Sequence, residues 1–409
     1  MTTMEIEITT MAHGGSGIGR VDGRVVFCPG VIPGEIVQAE ITEDSKKSMW
    51  RAQAVSITKP SPHRAEHIWP EASIVRPWAT RAGGADYGHI DLGHQRQLKT
   101  DILRDALRRF GRLDTDLVNQ VSVQGIPGDD ERMGLAWRTR VSLHADEKGA
   151  LGPFAEKSHT VIPVTSLPLA SHPLQESALL QTSFAGSTSV RALDSTGSGV
   201  RFVVDNQSPQ AITEIVNGVS FALSDHSFWQ VHQSAPDILG GAIKRALQQD
   251  AFDPHAPQLD LYSGVGLLAH ALTSLSDTRL SLIAVESDEA AALFAHKNLE
   301  SVADVSAIPA RVDHWLRDQV SQATLAESSA FEHSSVILDP PRSGAKSDVI
   351  DALVALGVAQ IIYVACDPVA LGRDTALLSE AGYDMVFLEA WDMFPHTHHM
   401  ETIATFLKR

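Results

Sequence analysis

The sequence predicts an α/β protein whose C-terminal half is a parallel, doubly wound sheet, preceded by a small all-β barrel and a β-rich central segment. Three observations carry that expectation. Apolar runs at 258–261, 280–285, 335–338 and 360–365 alternate with helical periodicities such as Asp288 to Leu299, the pattern of successive βαβ crossovers. Residues 1–58 show a partial two-residue alternation in Glu5–Ile8 and Glu35–Ile41, interrupted by glycine-rich turns. Between 116 and 222, short strand-like stretches are separated by Ser, Thr, Gly and Pro. The 409 residues, 43 % of them hydrophobic, suffice for two or three domains, each with its own core.

In chain order, Asp22-Gly23 between Val21 and Arg24 is a hairpin turn, because glycine tolerates the positive φ that such turns demand. Five short strands of this kind suggest a barrel like the oligonucleotide-binding folds. Within it, Lys46, Lys47, Trp50 and Arg51 mix cations with a stacking surface, a pattern that fits an RNA contact or a solvated loop with Trp50 tucked into the core. A loop-like stretch runs from Lys59 to about Gly88. The helical spacing of Leu92, Leu98, Ile102, Leu103, Ala106 and Leu107 then predicts a helix over 91–110, closed by Gly111.

Composition excludes several classes. No apolar run reaches the roughly 18 residues of a membrane span, and the N-terminus lacks a secretory pattern, so a cytoplasmic protein is expected. Cys28 and Cys366 are the only cysteines, too few for a disulfide framework or a four-thiolate metal site. The net charge of −17 disfavours phosphate binding by the chain as a whole. Residues 1–115, however, are balanced, with 15 Lys and Arg against 14 Asp and Glu, whereas 18 stand against 36 beyond them. A polyanion would therefore meet the N-terminal third.

Four stretches carry chemistry. Asp260 to Gly266 ends the first strand of the C-terminal sheet in a glycine turn, and Glu286, after the next strand, can accept hydrogen bonds from both hydroxyls of a ribose. Gly264-Val265-Gly266-Leu267-Leu268-Ala269 also fits the dinucleotide form G-x-G-x-x-A, which leaves an NAD-dependent oxidoreductase open. The acidic residue upstream favours S-adenosylmethionine, since a carboxylate there receives an ammonium and repels a pyrophosphate. Val336 to Arg342 delivers Asp339 into a rigid diproline turn. Ile361 to Pro368 ends a strand on Cys366, at the edge where open α/β sheets hold their ligands. Phe394 to Glu401 sets three histidines near one carboxylate, but a metal would need a second ligand cluster, so no metal is expected and Glu401 stands instead as a candidate desolvated base.

In that order and approximate spacing, the glycine loop, Asp339-Pro340-Pro341-Arg342, Cys366-Asp367-Pro368 and Pro395-His396-Thr397 with Glu401 resemble the RNA (uracil-5)-methyltransferases; Phe228-Trp229-Gln230-Val231 resembles a further signature of that family. Residues 1–58 resemble the TRAM domain that many members carry. The resemblance implies a Rossmann-like class I methyltransferase domain at 91–115 and 223–409, a β-rich central domain at 59–90 and 116–222, and an OB-like, RNA-binding TRAM barrel at 1–58. It implies Cys366 as nucleophile, Glu401 as base, and Gln230, Tyr262, Gly264, Glu286, Asp313 and Asp339 around S-adenosylmethionine. Lys46, Lys47, Trp50, Arg51 and Arg342 would touch the RNA, with ribosomal RNA favoured over transfer RNA and a monomer expected.

The chain departs from the family in three ways. Many relatives ligate a four-iron cluster through cysteines, two of them in Cys-Gly-Gly-Cys, where this chain has Ala82-Gly83-Gly84-Ala85, so no iron–sulfur cluster is expected. Asp367 replaces the usual Asn after the nucleophile, and its charge would raise the Cys366 pKa, which keeps open a weakly active or inactive RNA-binding homologue. The acidity beyond residue 115 predicts RNA binding of steep salt sensitivity.

Overall fold

The computed structural model describes residues 3–45, 48–155, 158–322 and 331–409; Lys46 and Lys47 lie outside them. The chain forms two compact units, one of residues 1–102, 127–192 and 394–399, the other of 103–126, 193–393 and 400–409.

The first unit begins with β1 (Thr3–Met11), β2 (Ser16–Val21), β3 (Arg24–Pro29), β4 (Ile36–Glu43) and β5 (Met49–Lys59), closed into a barrel of order β1-β2-β3-β5-β4. Closure follows from the alternation: Ile6, Ile8, Val26, Cys28, Val37 and Ala39 point inward and are buried to 1 % exposure or less. The turn between β2 and β3 is the expected one, with Asp22 and Gly23 both at positive φ. Trp50 packs against this core with the Arg24 guanidinium 4.6 Å from its ring centre, and Arg51 pairs with Glu43 at 3.2 Å. A buried carboxylate ties the barrel to the chain that follows. Glu35 accepts from Arg64 Nε at 2.6 Å and Nη2 at 2.8 Å, and from the backbone of Ile32 and Ser61. Helix α1 (Leu92–Arg109) starts in this unit and ends in the other.

The second unit takes α2 (Asp116–Gln120) and β6 (Val123–Gln124); β7 (Arg140–Ala145), β8 (Leu151–Gly152) and α3 (His172–Glu176) return to the first. The division falls within β9 (Ser189–Ser195), after which come β10 (Gly199–Val204) and the hairpin of β11 (Ala211–Val216) and β12 (Val219–Ser224). The rest of the second unit is α4 (Ala235–Ala246), β13 (Gln258–Leu261), α5 (Leu267–Thr273), β14 (Ser281–Glu286), α6 (Glu289–Leu299), β15 (Asp304–Pro309), α7 (Val312–Gln322), β16 (Ser335–Leu338), α8 (Lys346–Leu356), β17 (Gln360–Ala365), α9 (Pro368–Glu380), β18 (Tyr383–Trp391) and β19 (Glu401–Lys408).

These strands form one eight-stranded sheet of order β15-β14-β13-β16-β17-β19-β18-β6. Pairing is parallel from β15 to β17 and antiparallel on both sides of β19. Strands β13, β16 and β17 are buried at every residue, as a sheet covered on both faces requires, and hence read as unbroken apolar runs. Among the described residues no helix is long and apolar enough to cross a membrane.

Burial opposes ionisation of Glu35, yet the hydrogen bonds from Arg64, Ser61 and Ile32 outweigh it and hold the carboxyl below its ordinary 4.5. Because the folded value is the lower one, this contribution to stability is present above about pH 4.5 and disappears as the pH falls through the folded value. Arg64→Leu leaves a buried charge without its cation and is expected to cost about 3–5 kcal/mol in urea unfolding at pH 7. A loss below 1 kcal/mol would show that the pair does not anchor the barrel.

Candidate active site

The carboxyl edge of the parallel strands gathers the chemistry. After β13 the chain turns sharply through Tyr262, at φ 65°, and Gly264 and Gly266, at φ 53° and 87°. Positive φ is strained for tyrosine and free for glycine. Tyr262 is held there by donating its N–H to Val285 O at 2.9 Å. A Cβ on Gly264 would meet nothing within 4 Å, so the backbone faces open space, whereas one on Gly266 would run into Leu299 at 2.8 Å. Glu286, at the end of β14, accepts from Gly264 N at 3.1 Å and from Asp288 N at 2.9 Å, which fixes the carboxylate against the glycine turn. Trp229 is buried with Phe221, Val265 and Ala291, and Gln230 follows it in the chain, half-buried.

A cavity of about 360 Å³ adjoins the turn, lined by Tyr262, Ser287, Arg311, Asp313, Pro341 and residues 343–349. The Arg311 guanidinium grips Asp313 with two hydrogen bonds, 3.1 and 2.8 Å, and holds its carboxyl down to about 2. The far wall rests on Asp374, whose Oδ2 accepts from Tyr363 Oη at 2.6 Å and Ala345 N at 2.7 Å. Neither Asp374 nor Arg311 was visible as a site residue in the sequence, since both act through the fold. The diproline motif was the available signal for the wall, because Pro341 opens it. Gln230, Gly264, Glu286 and Asp339 do not line this cavity; Gly264 and Glu286 form the turn and Asp339 directly follows β16 at the sheet edge.

Beside the cavity lies a nest of buried acids. Asp260 is 1 % exposed, its Oδ2 accepts from Ala269 N at 3.3 Å, and its Oδ1 has no hydrogen-bond partner. Burial, with Asp339 and Glu286 nearby, pushes it up to about 7. Burial likewise raises Asp339, and burial with the Asp339 charge raises Glu401 well above the usual carboxylate range. The register brings Glu401 to Cys366: Ala365 of β17 faces Thr402 of β19 in an antiparallel pair, so the preceding residue of one strand and the following residue of the other meet at the same edge. Burial first, then Glu401 and Asp339, push the Cys366 thiol up to about 12, while Arg342 pulls it down.

Asp367 raises Cys366 too, but less than burial, Glu401 or Asp339 does. Its main work is elsewhere: Oδ1 accepts from Ala370 N at 2.8 Å and caps α9, a task that Asp and Asn perform about equally well. Trp50 and Arg51, the remaining described candidates, belong to the barrel in the first unit.

An acid-rich turn with a buried carboxylate that keeps one oxygen unpaired repels a pyrophosphate and suits a ligand that carries an ammonium, a ribose diol and a sulfonium. The site is therefore that of a class I, S-adenosylmethionine-dependent methyltransferase. Comparison with known proteins makes the assignment specific. Residues 1–55 match the TRAM domain and residues 242–409 the tRNA (Uracil-5-)-methyltransferase family. An RNA methyltransferase of Bifidobacterium longum is 32 % identical, covering 100 % of this chain and 97 % of its own, and one of Streptomyces avermitilis is 32 % identical over 98 % and 97 %. A 23S rRNA (uracil(1939)-C(5))-methyltransferase of Vibrio parahaemolyticus is 26 % identical over 98 % and 95 %. The Pyrococcus abyssi tRNA (uracil-54, C5)-methyltransferase, solved with S-adenosyl-L-homocysteine, shares the fold with a TM-score of 0.69 at 20 % identity, over 99 % of each chain. The chain belongs to the TRAM-containing RNA (uracil-5)-methyltransferase family, and the dinucleotide reading of the glycine turn is set aside.

Iodoacetamide alkylation of Cys366, followed by mass spectrometry to separate it from Cys28, tests the electrostatics of the site. The rate should rise roughly tenfold per pH unit from pH 7 to 9. Glu401→Gln should speed alkylation at pH 7.5, Arg342→Ala should slow it, and Asp367→Asn should change it least. A larger effect from Asp367→Asn than from Glu401→Gln would overturn the ranking of causes.

Proposed function

We propose that the protein methylates carbon 5 of a specific uridine in ribosomal RNA through a covalent Cys366 adduct, with Glu401 as the base. The observation that carries this reading is the strand register, which sets a carboxylate beside the thiol at the edge where the cofactor turn ends. Carbon 5 of uracil is a weak nucleophile, so a thiolate at position 366 first forms a bond to carbon 6, and the electron pair of the double bond moves toward carbon 5 and oxygen 4. S-adenosylmethionine supplies an electrophilic methyl group. Once carbon 5 carries both methyl and hydrogen, the Glu401 carboxylate removes the proton, the double bond re-forms, and Cys366 leaves as thiolate.

The raised values of Cys366 and Glu401 belong to this scheme. A base of raised pKa is the stronger one when ionised, and a positive charge entering among Asp260, Asp339 and Glu401 favours the ionised forms. Tyr262 and Asp313 would hold the adenosine end, Glu286 the ribose, and Gln230, Gly264 and Asp339 the remainder, with Asp260 placed for the ammonium. Arg342, exposed at the edge, would face the RNA, as would Trp50 and Arg51 of the barrel. The target base must leave its stack to reach Cys366. Ribosomal RNA is favoured by the TRAM-like module and by the Vibrio relative, which spans nearly the whole chain. Asp367, which alone would suggest an inactive homologue, has an adequate reason to be where it is as a helix cap.

The deciding measurement is tritium release from RNA labelled at uracil carbon 5, prepared from cells that lack the protein. Release should depend on S-adenosylmethionine and vanish in Cys366→Ala. Glu401→Gln should lose at least roughly a hundredfold in turnover and leave a protein–RNA adduct that survives denaturing electrophoresis. Full turnover in either variant would remove the assignment of roles.

A further inference from the structure

The first unit holds a second cavity, of about 250 Å³, built wholly from its own residues. The β1–β2 turn (Gly14, Gly15, Ser16) and the end of β3 (Pro29, Gly30) form one side; the segment Arg81 to Asp86, with His67, His89 and His398, forms the other. The walls are closely fitted. A Cβ on Gly15 would strike Asp86 Oδ2 at 2.5 Å, and one on Gly88 would strike the His67 ring at 2.5 Å. Gly14, Gly84 and Asp86 are exposed at its mouth, while Ala82, Ala85 and His89 are buried.

The lining is not that of a metal site. Ala82 and Ala85 offer no ligand atoms, and among the described residues no group of three or more His, Cys, Asp or Glu side chains is arranged to hold an ion. One polar atom calls for a partner: His89 is 3 % exposed, and its Nε2 is buried with no hydrogen bond. A buried ring nitrogen left unpaired costs free energy that a bound donor or acceptor recovers. The His67 ring lies 6.1 Å away and 19° from parallel, fixed in its neutral form by Nε2 donating to Ala85 O and Nδ1 accepting from Trp69 N.

We propose that this cavity binds one unpaired nucleobase of the RNA substrate, with His89 Nε2 hydrogen-bonding to the base edge. The inference rests on the reading of RNA as substrate. Charge selects a base over a phosphate. Burial pushes His67 down to about 4 and His89 well below its ordinary value, so both imidazoles are uncharged at neutral pH. Arg81 spends its guanidinium on the backbone oxygens of Arg76 and Ile74, at 2.8 and 2.7 Å. The Asp86 carboxylate at the mouth accepts from His398 Nδ1 at 2.7 Å and would repel a phosphate while accepting from a base amino group. A neutral, planar, hydrogen-bonding ligand meets all three conditions.

The test uses the full-length protein with S-adenosylhomocysteine, fluorescein-labelled 12-nucleotide RNAs of mixed sequence, and a matched abasic strand, read by anisotropy. Gly14 lines the cavity, has ordinary φ and open space beyond it, so Gly14→Trp adds bulk at the mouth without strain. It should weaken binding of base-bearing RNA by about tenfold, and His89→Phe by about threefold, with neither changing the abasic strand. S-adenosylhomocysteine affinity, measured by calorimetry, should match wild type and so show an intact fold. Wild-type RNA affinity in folded Gly14→Trp overturns the proposal, and equal losses on abasic RNA overturn it in favour of a phosphate site. Tritium release measured on the same preparations separates the two readings. Base-dependent, cavity-dependent binding without release would keep the cavity and remove methyl transfer, whereas release with cavity-independent binding would do the reverse.

Discussion

The antiparallel entry of β19 between β17 and β18 is the constraint on which the site depends. In a purely parallel sheet every strand would present its last residue at the ligand edge. Reversing β19 makes its first residue, Glu401, arrive where β17 releases Cys366. Thiol and carboxylate then come from chain positions 35 residues apart, yet both are fixed by backbone hydrogen bonds rather than by loop conformation. A one-residue slip of β19 would turn Glu401 to the other face of the sheet and leave the thiol without its neighbour.

Around that pair the fold places acids where water is scarce. Asp260 and Glu401 are buried, the Asp339 charge raises both, and Glu401 and Asp339 together raise Cys366. Such a cluster is costly by itself, because burial opposes each negative charge and neighbouring charges add to the opposition. Arg342 at the rim offsets part of this for Cys366 and Glu401. The strained Tyr262 at the end of β13 belongs to the same pattern of local cost at a working edge.

Much of this is legible in the amino-acid sequence. The strands 258–261, 335–338 and 360–365 lie where their apolar runs placed them, because a doubly covered strand has no polar face to blur its limits. The predicted helix over 91–110 is found at Leu92–Arg109, since its stripe repeats at helical spacing. Asp367 shows a limit of that legibility: its charge is evident in the sequence, but the hydrogen bond it accepts from Ala370 N, which caps α9, exists only in the folded turn. Trp50 shows the opposite limit, as its packing on the barrel core and under Arg24 depends on strands far apart in sequence.

The sequence by itself determined the order of elements and singled out the glycine turn, Cys366 and Glu401 as candidates, because hydrophobic period and motif spacing are local properties. Only the tertiary structure decided which carboxylates share a desolvated space, that Asp374 and Arg311 hold the walls of the cavity beside the glycine turn, and that His89 Nε2 is buried at a second cavity with no hydrogen bond. Burial and through-space charge depend on chain segments brought together from anywhere along 409 residues, and no local pattern encodes them.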